Sequence, residues 1–357
     1  MKSWHLNGVV LPGTDRVDLW VRDGVISAEP IPGAESLGSG LWIMPGLVDA
    51  HCHIGLGAGG AVDRATAEQQ AITDRNSGVL LIRDAGAPVD THWVDARADL
   101  PRVIRAGRHI ARPKRYLRNY AVEIDPATMV AEVERQARAG DGWVKLVGDW
   151  IDREAGDLEP LWPAGLAEQA ISRAHELGAK VTAHCFAEQS VSELVAAGID
   201  CIEHGTGMSD EVIAQMAHRG VSLVPTMTNL EHFPDFAAAG EAKFPTYSAH
   251  MRALHASRYE VLGNALDAGV PVYAGTDSGG VLRHGRIAEE AELLARLGGA
   301  EFALGAISWR AREWLGAPSL TPGAPADLVI YRQDPRVHLD TLHHPAVVML
   351  RGALYPR

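Results

Sequence analysis

Three cysteines in 357 residues, Cys52, Cys185 and Cys201, are too few and too far apart to frame a disulfide scaffold. That usage fits a reducing compartment, and the cytoplasm is the expected location. Long hydrophobic runs are missing as well: no stretch approaches the roughly 20 apolar residues that a membrane-spanning helix needs. The opening MKSWHLNGVVLPGTD has no apolar segment of the length a secretory leader requires, because polar residues interrupt it throughout. Positive charge is in deficit, with 33 Lys and Arg against 45 Asp and Glu and a net charge of −12. Nucleic acid and anionic membranes both need a basic face to displace counterions, so neither is an expected partner. Short-period repeats and low-complexity tracts are also absent. What is left is a chain long enough to bury a large core, either as two domains or as one α/β barrel with an appendage.

From about residue 46 to residue 279, short apolar runs alternate with amphipathic segments. Eight strand candidates occur: GLVDAHCHI, GVLLIRDAG, PRVIRAG, GWVKLVGD, AKVTAHC, CIEHG, VSLVPTM and VPVYAGTD. Between them lie helical patterns such as MVAEVERQARAG, PAGLAEQAISRAHELG, DEVIAQMAHRG and LHASRYEVLGNALDAG, which stop at Gly140, Gly178, Gly220 and Gly269. A glycine there is expected to take the left-handed conformation that ends a helix at low steric cost. Strand, helix, glycine, strand is the grammar of parallel βα units, and eight is the number that closes a parallel barrel. The two ends follow another rule. Residues 1–43 and 323–357 read as short alternating strands broken by Gly, Pro and Asp turns, with too little apolar surface to fold separately. They are expected to meet as one small β-sandwich beside a (β/α)8 barrel over residues 44–322.

Strands of a parallel barrel are covered on both faces and should be almost continuously apolar. Here polar residues break in near their C-terminal ends: Asp49, His51 and His53 in the first, Lys145 in the fourth, His184 in the fifth, Glu203 and His204 in the sixth, Asp277 in the eighth. That rim is where barrels of this kind place their active sites. In HCH, side chains alternate, so His51 and His53 share a face that can hold one divalent metal while Cys52 points away. Taken alone, H-x-H fits two satisfied core histidines equally well. His184, His204 and Asp277, each ending a different strand, make coincidence a poor explanation. The other twelve histidines, including His343 and His344, read by default as surface or packing residues. Lys145, inside WVKLV, should either lose its proton, react, or reach solvent along its aliphatic stem. A neutral amine can add carbon dioxide to give a carbamate able to bridge two metals.

PGLVDAHCH with VKL, TAHC, IEHG and AGTDSG, followed by HGRIAEEAELL and PGAPADLVIYRQDP, resembles the metal-dependent amidohydrolase superfamily from end to end. The similar branch is the one containing imidazolonepropionase-like enzymes and binuclear Xaa-Pro dipeptidases. The resemblance implies a distorted barrel with a composite terminal β-sandwich. It also implies two divalent ions, one held by His51, His53 and Asp277 and the other by His184 and His204, with carboxylated Lys145 and a hydroxide bridging them. Zinc suits the histidine-rich set, and manganese, iron or cobalt suit its mixed nitrogen and oxygen donors.

The chemistry so implied is hydrolysis of an amide or related C–N bond, with Asp277 shuttling the proton, on a small N-acyl amino acid or dipeptide. A lactam, ester or organophosphate could be cleaved at the same centre. Loop residues offered as substrate contacts are Arg108, His109, Tyr120, Trp150, Asn229, Arg283 and His284. An arginine among them could hold a carboxylate. After the third strand, RHIARPKRY departs from the glycine-rich stretch usual in dipeptidase-like sequences, which weakens an Xaa-Pro assignment. Two other classes compete. A non-enzymatic scaffold would have lost metal ligands, whereas every position is filled. A nicotinamide-dependent oxidoreductase would use GLGAGG, which fits G-x-G-x-x-G at Gly55, Gly57 and Gly60. The strand before it is full of ionisable groups, so these glycines read instead as a flexible loop over the metal site, and Arg83 with Asp84 as a structural ion pair. A small-molecule substrate and a homo-oligomer are compatible with this reading.

Overall fold

The computed structural model describes residues 2–355, so residues 1, 356 and 357 of the expected terminal unit lie outside the described residues. Both ends of the chain enter one eight-stranded sheet. Its backbone runs through Trp4–Val10, Arg16–Arg22, Val25–Ser27 and Leu41–Pro45 and is completed by Leu328–Tyr331, Val347–Leu350 and Ala353–Tyr355. Leu328–Tyr331 pairs antiparallel with Leu41–Pro45, with Ile330 opposite Ile43. The far edge returns to the same place: Ile26 N donates to Ala324 O at 2.9 Å and Ala326 N to Gly24 O at 2.8 Å. Alternation assigns the two faces. Trp4, Leu6, Leu19, Val21, Leu41, Ile43, Leu328 and Ile330 form one closed core. Met44, Val329 and Tyr331 turn the other way and join the main core of the barrel.

The barrel strands are Leu47–Cys52, Val79–Asp84, Arg102–Arg105, Trp143–Val147, Lys180–Cys185, Cys201–His204 and Ser222–Val224, all paired in parallel within two sheets. Between the third and fourth the ladder is interrupted. Asp141 N donates to Arg105 O at 2.8 Å, and the short strand Ile110–Ala111 pairs with the fourth instead. VPVYAGTD is not a regular strand; it is held by parallel bridges Leu223 to Val272 and Cys52 to Ser278. It still fills the eighth position, because Tyr273 N donates to Leu223 O at 3.0 Å and Ala50 N to Ala274 O at 2.8 Å. Gly275 explains how closely it lies against the first strand, since a Cβ there would stand 2.5 Å from that of His51.

Helices cross back over the outside at Arg64–Asn76, Met129–Ala139, Ala164–Glu176, Glu188–Ala196, Asp210–Arg219 and Ile287–Ala306. Gly178, Gly220 and Gly269 are left-handed as expected, at φ 76°, 69° and 85°. Gly140 is not: its φ of −94° and ψ of −177° are extended. It is required for a different reason, because a Cβ would lie 2.7 Å from Arg105 O and 2.9 Å from Trp143 O. After the seventh strand, a helical hairpin of Phe233–Gly240 and the long Pro245–Asp267 projects over the C-terminal rim. None of the described helices is long and apolar enough to cross a membrane.

Candidate metal centre

At the end of the first strand, His51 and His53 point the same way and are fixed by what their Nδ1 atoms reach. His51 Nδ1 donates to Glu203 Oε2 at 2.7 Å, and His53 Nδ1 to the Gly86 carbonyl at 2.7 Å. This leaves both Nε2 atoms to face Asp277 Oδ1, at 3.2 and 3.0 Å. An outer partner on one ring nitrogen sets the tautomer that frees the other for a metal. Across the rim, His204 Nδ1 meets Thr226 Oγ1 at 2.7 Å, and its Nε2 meets His184 Nδ1 at 2.9 Å. The two halves are contiguous, with the His51 and His204 ring centroids 5.3 Å apart.

The backbone carries strain at these strand ends. His204, Thr226 and Asp277, none of them glycine, have φ of 70°, 50° and 55°. That region costs an ordinary residue of order 1–3 kcal/mol and persists where the surroundings impose it. The surroundings here are explicit. Asp49 on the first strand accepts from Thr276 N at 3.0 Å and Thr276 Oγ1 at 2.5 Å, which pins the turn that presents Asp277.

Behind the ligands lies a buried ion pair. Arg83 Nη2 donates to Glu203 Oε1 at 2.5 Å and Arg83 Nε to Ala50 O at 2.7 Å, while the guanidinium lies over the Trp143 ring. Burial pushes the Glu203 carboxyl up, but Arg83, His51 and Lys145 outweigh it and hold it well below the usual range. The expected Arg83–Asp84 pair does not form. Neighbours on a strand face opposite ways, and Asp84 instead accepts from Ile54 N and Gly86 N at 3.1 and 2.9 Å. Arg83→Met should therefore strand Glu203 and lower stability by roughly 3–5 kcal/mol, read from urea unfolding. Arg83→Met with Glu203→Gln should lose less than the two single changes added.

Lys145 is 1 % exposed, and its Nζ has no hydrogen-bond partner. Burial lowers its pKa from the ordinary lysine value against the pull of Glu203 and Asp277. Burial likewise brings His204 down to about 3 and holds His184 well below the ordinary histidine value. Burial raises Asp277, but the His51 charge and the close contacts with the His51 and His53 rings hold it far below the usual carboxylate range. Burial holds His53, His184 and His204 toward the neutral imidazole, while Glu203 and Asp277 raise His51 against its burial. With an ionised carboxylate and an unsatisfied buried amine they are a donor set that fits divalent metal, which displaces the His51 proton on binding. Of these donors, His51, His53 and Asp277 converge closely enough to share one ion; among the described residues Cys52, Asp74 and His284 form a second such trio on the opposite side of the strand.

His53, His184 and Asp277 of the centre line a cavity of about 400 Å3. Its walls include three of the loop residues expected from sequence, Tyr120, Trp150 and Asn229. His109 is buried behind His53, with ring centroids 5.0 Å apart. Three other expected contacts are placed elsewhere. Arg108 lines a separate outer cavity with Pro88 and Arg138. Arg283 is 75 % exposed and bonds Glu289 at 2.6 Å. His284 is buried against Asp74 at 2.8 Å, on the Cys52 side of the first strand. The walls add Tyr116, Phe186, Phe236, Phe244 and Tyr247, and among the described lining residues Lys243 is the one cation. Tyr116 was within reach of sequence reasoning, four residues before Tyr120 in RYLRNY; the hairpin residues left no comparable signal. Gly55–Gly60 closes one side as a small hairpin, with Leu56 opposite Ala61 and Gly57 opposite Gly60. A dinucleotide turn would instead lead directly into a helix whose N-terminus takes the pyrophosphate.

Comparison with known proteins agrees with this fold. The chain is 54% identical over 353 residues to an uncharacterized protein of Mycobacterium tuberculosis strain H37Rv, covering 98% of this chain and 95% of that one. Its fold is similar to that of a Xaa-Pro dipeptidase crystallised with methionine bound in the active site, with a TM-score of 0.85, 20% identity and 100% of both chains covered. A putative prolidase from Bifidobacterium longum has a TM-score of 0.83 at 24% identity, covering 100% of this chain and 95% of that one. A sequence model of the amidohydrolase family matches residues 42–354, and the chain belongs to that family.

Proposed function

We propose that this hydrolase cleaves the C–N bond of a small N-acyl amino acid or dipeptide with an apolar or aromatic side, using two divalent metal ions. The observation that carries the reading is that His53, His184 and Asp277 line an aromatic cavity in which Lys243 is the one cation among the described lining residues. His51, His53 and Asp277 would hold one ion, His184 and His204 the other, and Lys145 as its carbamate both. Zinc is the metal the histidine-rich donors favour. When bound, such a centre brings the pKa of a water molecule toward neutrality and polarises the substrate carbonyl.

The protein's own residues do the rest. Asp277, ionised and within hydrogen-bonding distance of both first-strand imidazoles, accepts the proton of the attacking water and passes it to the departing nitrogen. Tyr116, Trp150 and Phe186 give the reacting bond an apolar wall. Asn229, partly turned into the cavity from the helical segment Met227–Leu230, offers an amide to the substrate's polar backbone. Lys243 takes the role of carboxylate anchor that sequence alone would give to Arg108 or Arg283.

A turnover screen over N-acyl amino acids, dipeptides, lactams and small esters with zinc-loaded protein tests the reading. Acyl amino acids with an aromatic side should lead the ranking. Lys243 is solvent-exposed, so Lys243→Met should cost only about three- to tenfold in kcat/KM, and only on substrates with a free carboxylate. Equal cleavage of free and esterified substrates by both proteins would remove the carboxylate assignment and favour a neutral lactam or ester.

A further inference from the structure

Two buried polar atoms near the centre have no partner, and they face each other. His184 Nε2 and Asp149 Oδ1 are both unsatisfied, and they stand 3.9 Å apart. Asp149 is fully buried, just beyond the fourth strand. It reaches this place because Gly148 packs against the end of the fifth strand, where a Cβ would come 2.5 Å from Cys185 Sγ. The other carboxylate oxygen is committed: Oδ2 accepts from Phe186 N at 2.8 Å and from Ala187 N at 2.9 Å, at the start of the helix Glu188–Ala196. Oδ1 is left to face the imidazole, with the Ser190 hydroxyl as the carboxylate's other polar side-chain neighbour.

We propose that Asp149 is a positioning residue that sets the tautomer of His184. His184 presents Nδ1 to the centre, where it meets His204 Nε2. An imidazole that offers Nδ1 to a metal must carry its proton on Nε2, and the acceptor facing Nε2 is Asp149 Oδ1. The inference rests on the reading of His184 as a ligand. It goes beyond that reading by naming the outer group that makes His184 a competent one, as Glu203 does for His51 and Thr226 for His204.

The geometry makes an unusual demand on substitutions. In Asp149→Asn, the two backbone N–H groups require the amide oxygen, so the NH2 group is turned toward His184 Nε2. A donor there favours the proton on Nδ1, which is the wrong tautomer for metal binding. Asp149→Ala imposes no tautomer, but it leaves the two N–H groups unpartnered. For second-ion affinity the expected order is therefore wild type, then Ala, then Asn; for stability of the metal-free protein it is wild type, then Asn, then Ala. A role confined to structure would give one order for both.

The test uses the full chain, freed of metal and titrated with Zn2+ against a chromogenic chelator, with thermal unfolding of the metal-free forms alongside. The expected loss of affinity for the second ion is about 10- to 100-fold in the Asn variant. Nitrogen-15 shifts of the histidines should show His184 protonated on Nε2 in wild type and on Nδ1 in Asp149→Asn, so the result stands even if the Ala variant does not fold. Wild-type affinity in Asp149→Asn, with two ions still bound by wild type, overturns the role of Asp149 alone. If wild type takes up no ion that His184→Ala removes, the ligand reading falls and this role falls with it.

Discussion

Asp277→Asn should lower hydrolysis by about 10²-fold or more while the protein keeps most of its metal. The asparagine retains an oxygen where His51 and His53 now converge on Oδ1, so a ligand atom survives. What it loses is a group able to take a proton and return it. The left-handed backbone at Asp277 also tolerates asparagine better than most residues, so the turn held by Asp49 and Thr276 should remain. Turnover and elemental analysis on the same preparation separate chemistry from binding. Near-wild-type turnover in a metal-replete Asn variant would take the proton-shuttling role away from Asp277.

Lys145→Ala should lose much of the second ion and, with it, most of the activity. The reasoning starts from a side chain that is buried without a partner and whose burial favours the uncharged amine. Such an amine adds carbon dioxide through its lone pair and releases one proton, and the resulting anion has two oxygens to place between cations. Protein prepared with zinc and carbon-13 bicarbonate should approach about two equivalents of metal. It should also show a carbamate carbon signal that the Ala variant lacks. One tight equivalent in wild type, with an unmodified Lys145 in electron density, would leave a mononuclear centre.

Much of the candidate site could be read in the sequence because strands impose a strict rule. A strand wrapped on both faces has no reason to carry His51, His53, Lys145 or His184, so each polar residue stands out against its neighbours. Glu203 stood out too, yet sequence could not tell which of Arg83, Thr182 and His51 it would serve; it bonds all three. The eighth strand was legible in position but not in form, because AGTD must both lie against His51 and turn Asp277 inward. The cavity walls were least legible. Lys243, Phe244 and Tyr247 come from a helical hairpin whose fold-back depends on tertiary contacts. Of the arginines favoured by sequence, Arg283 was lost to a simpler competitor, Glu289 six residues away, and Arg108 lines a separate outer cavity.

The seating of the first barrel strand bears on how the protein matures. Leu47–Cys52 follows directly from Leu41–Pro45, whose partner strand Leu328–Tyr331 is made about 280 residues later. Gly46 N donates to Asp327 O at 2.9 Å, and Arg312 Nε donates to Gly46 O at 2.6 Å. On the ribosome, the residues around His51 and His53 therefore wait for some 280 residues of further synthesis before these anchors exist. Contacts of such long range form late. A nascent chain stalled before residue 327 should hold His51 and His53 in an unfinished strand, so a site built on them is completed only after that point in synthesis.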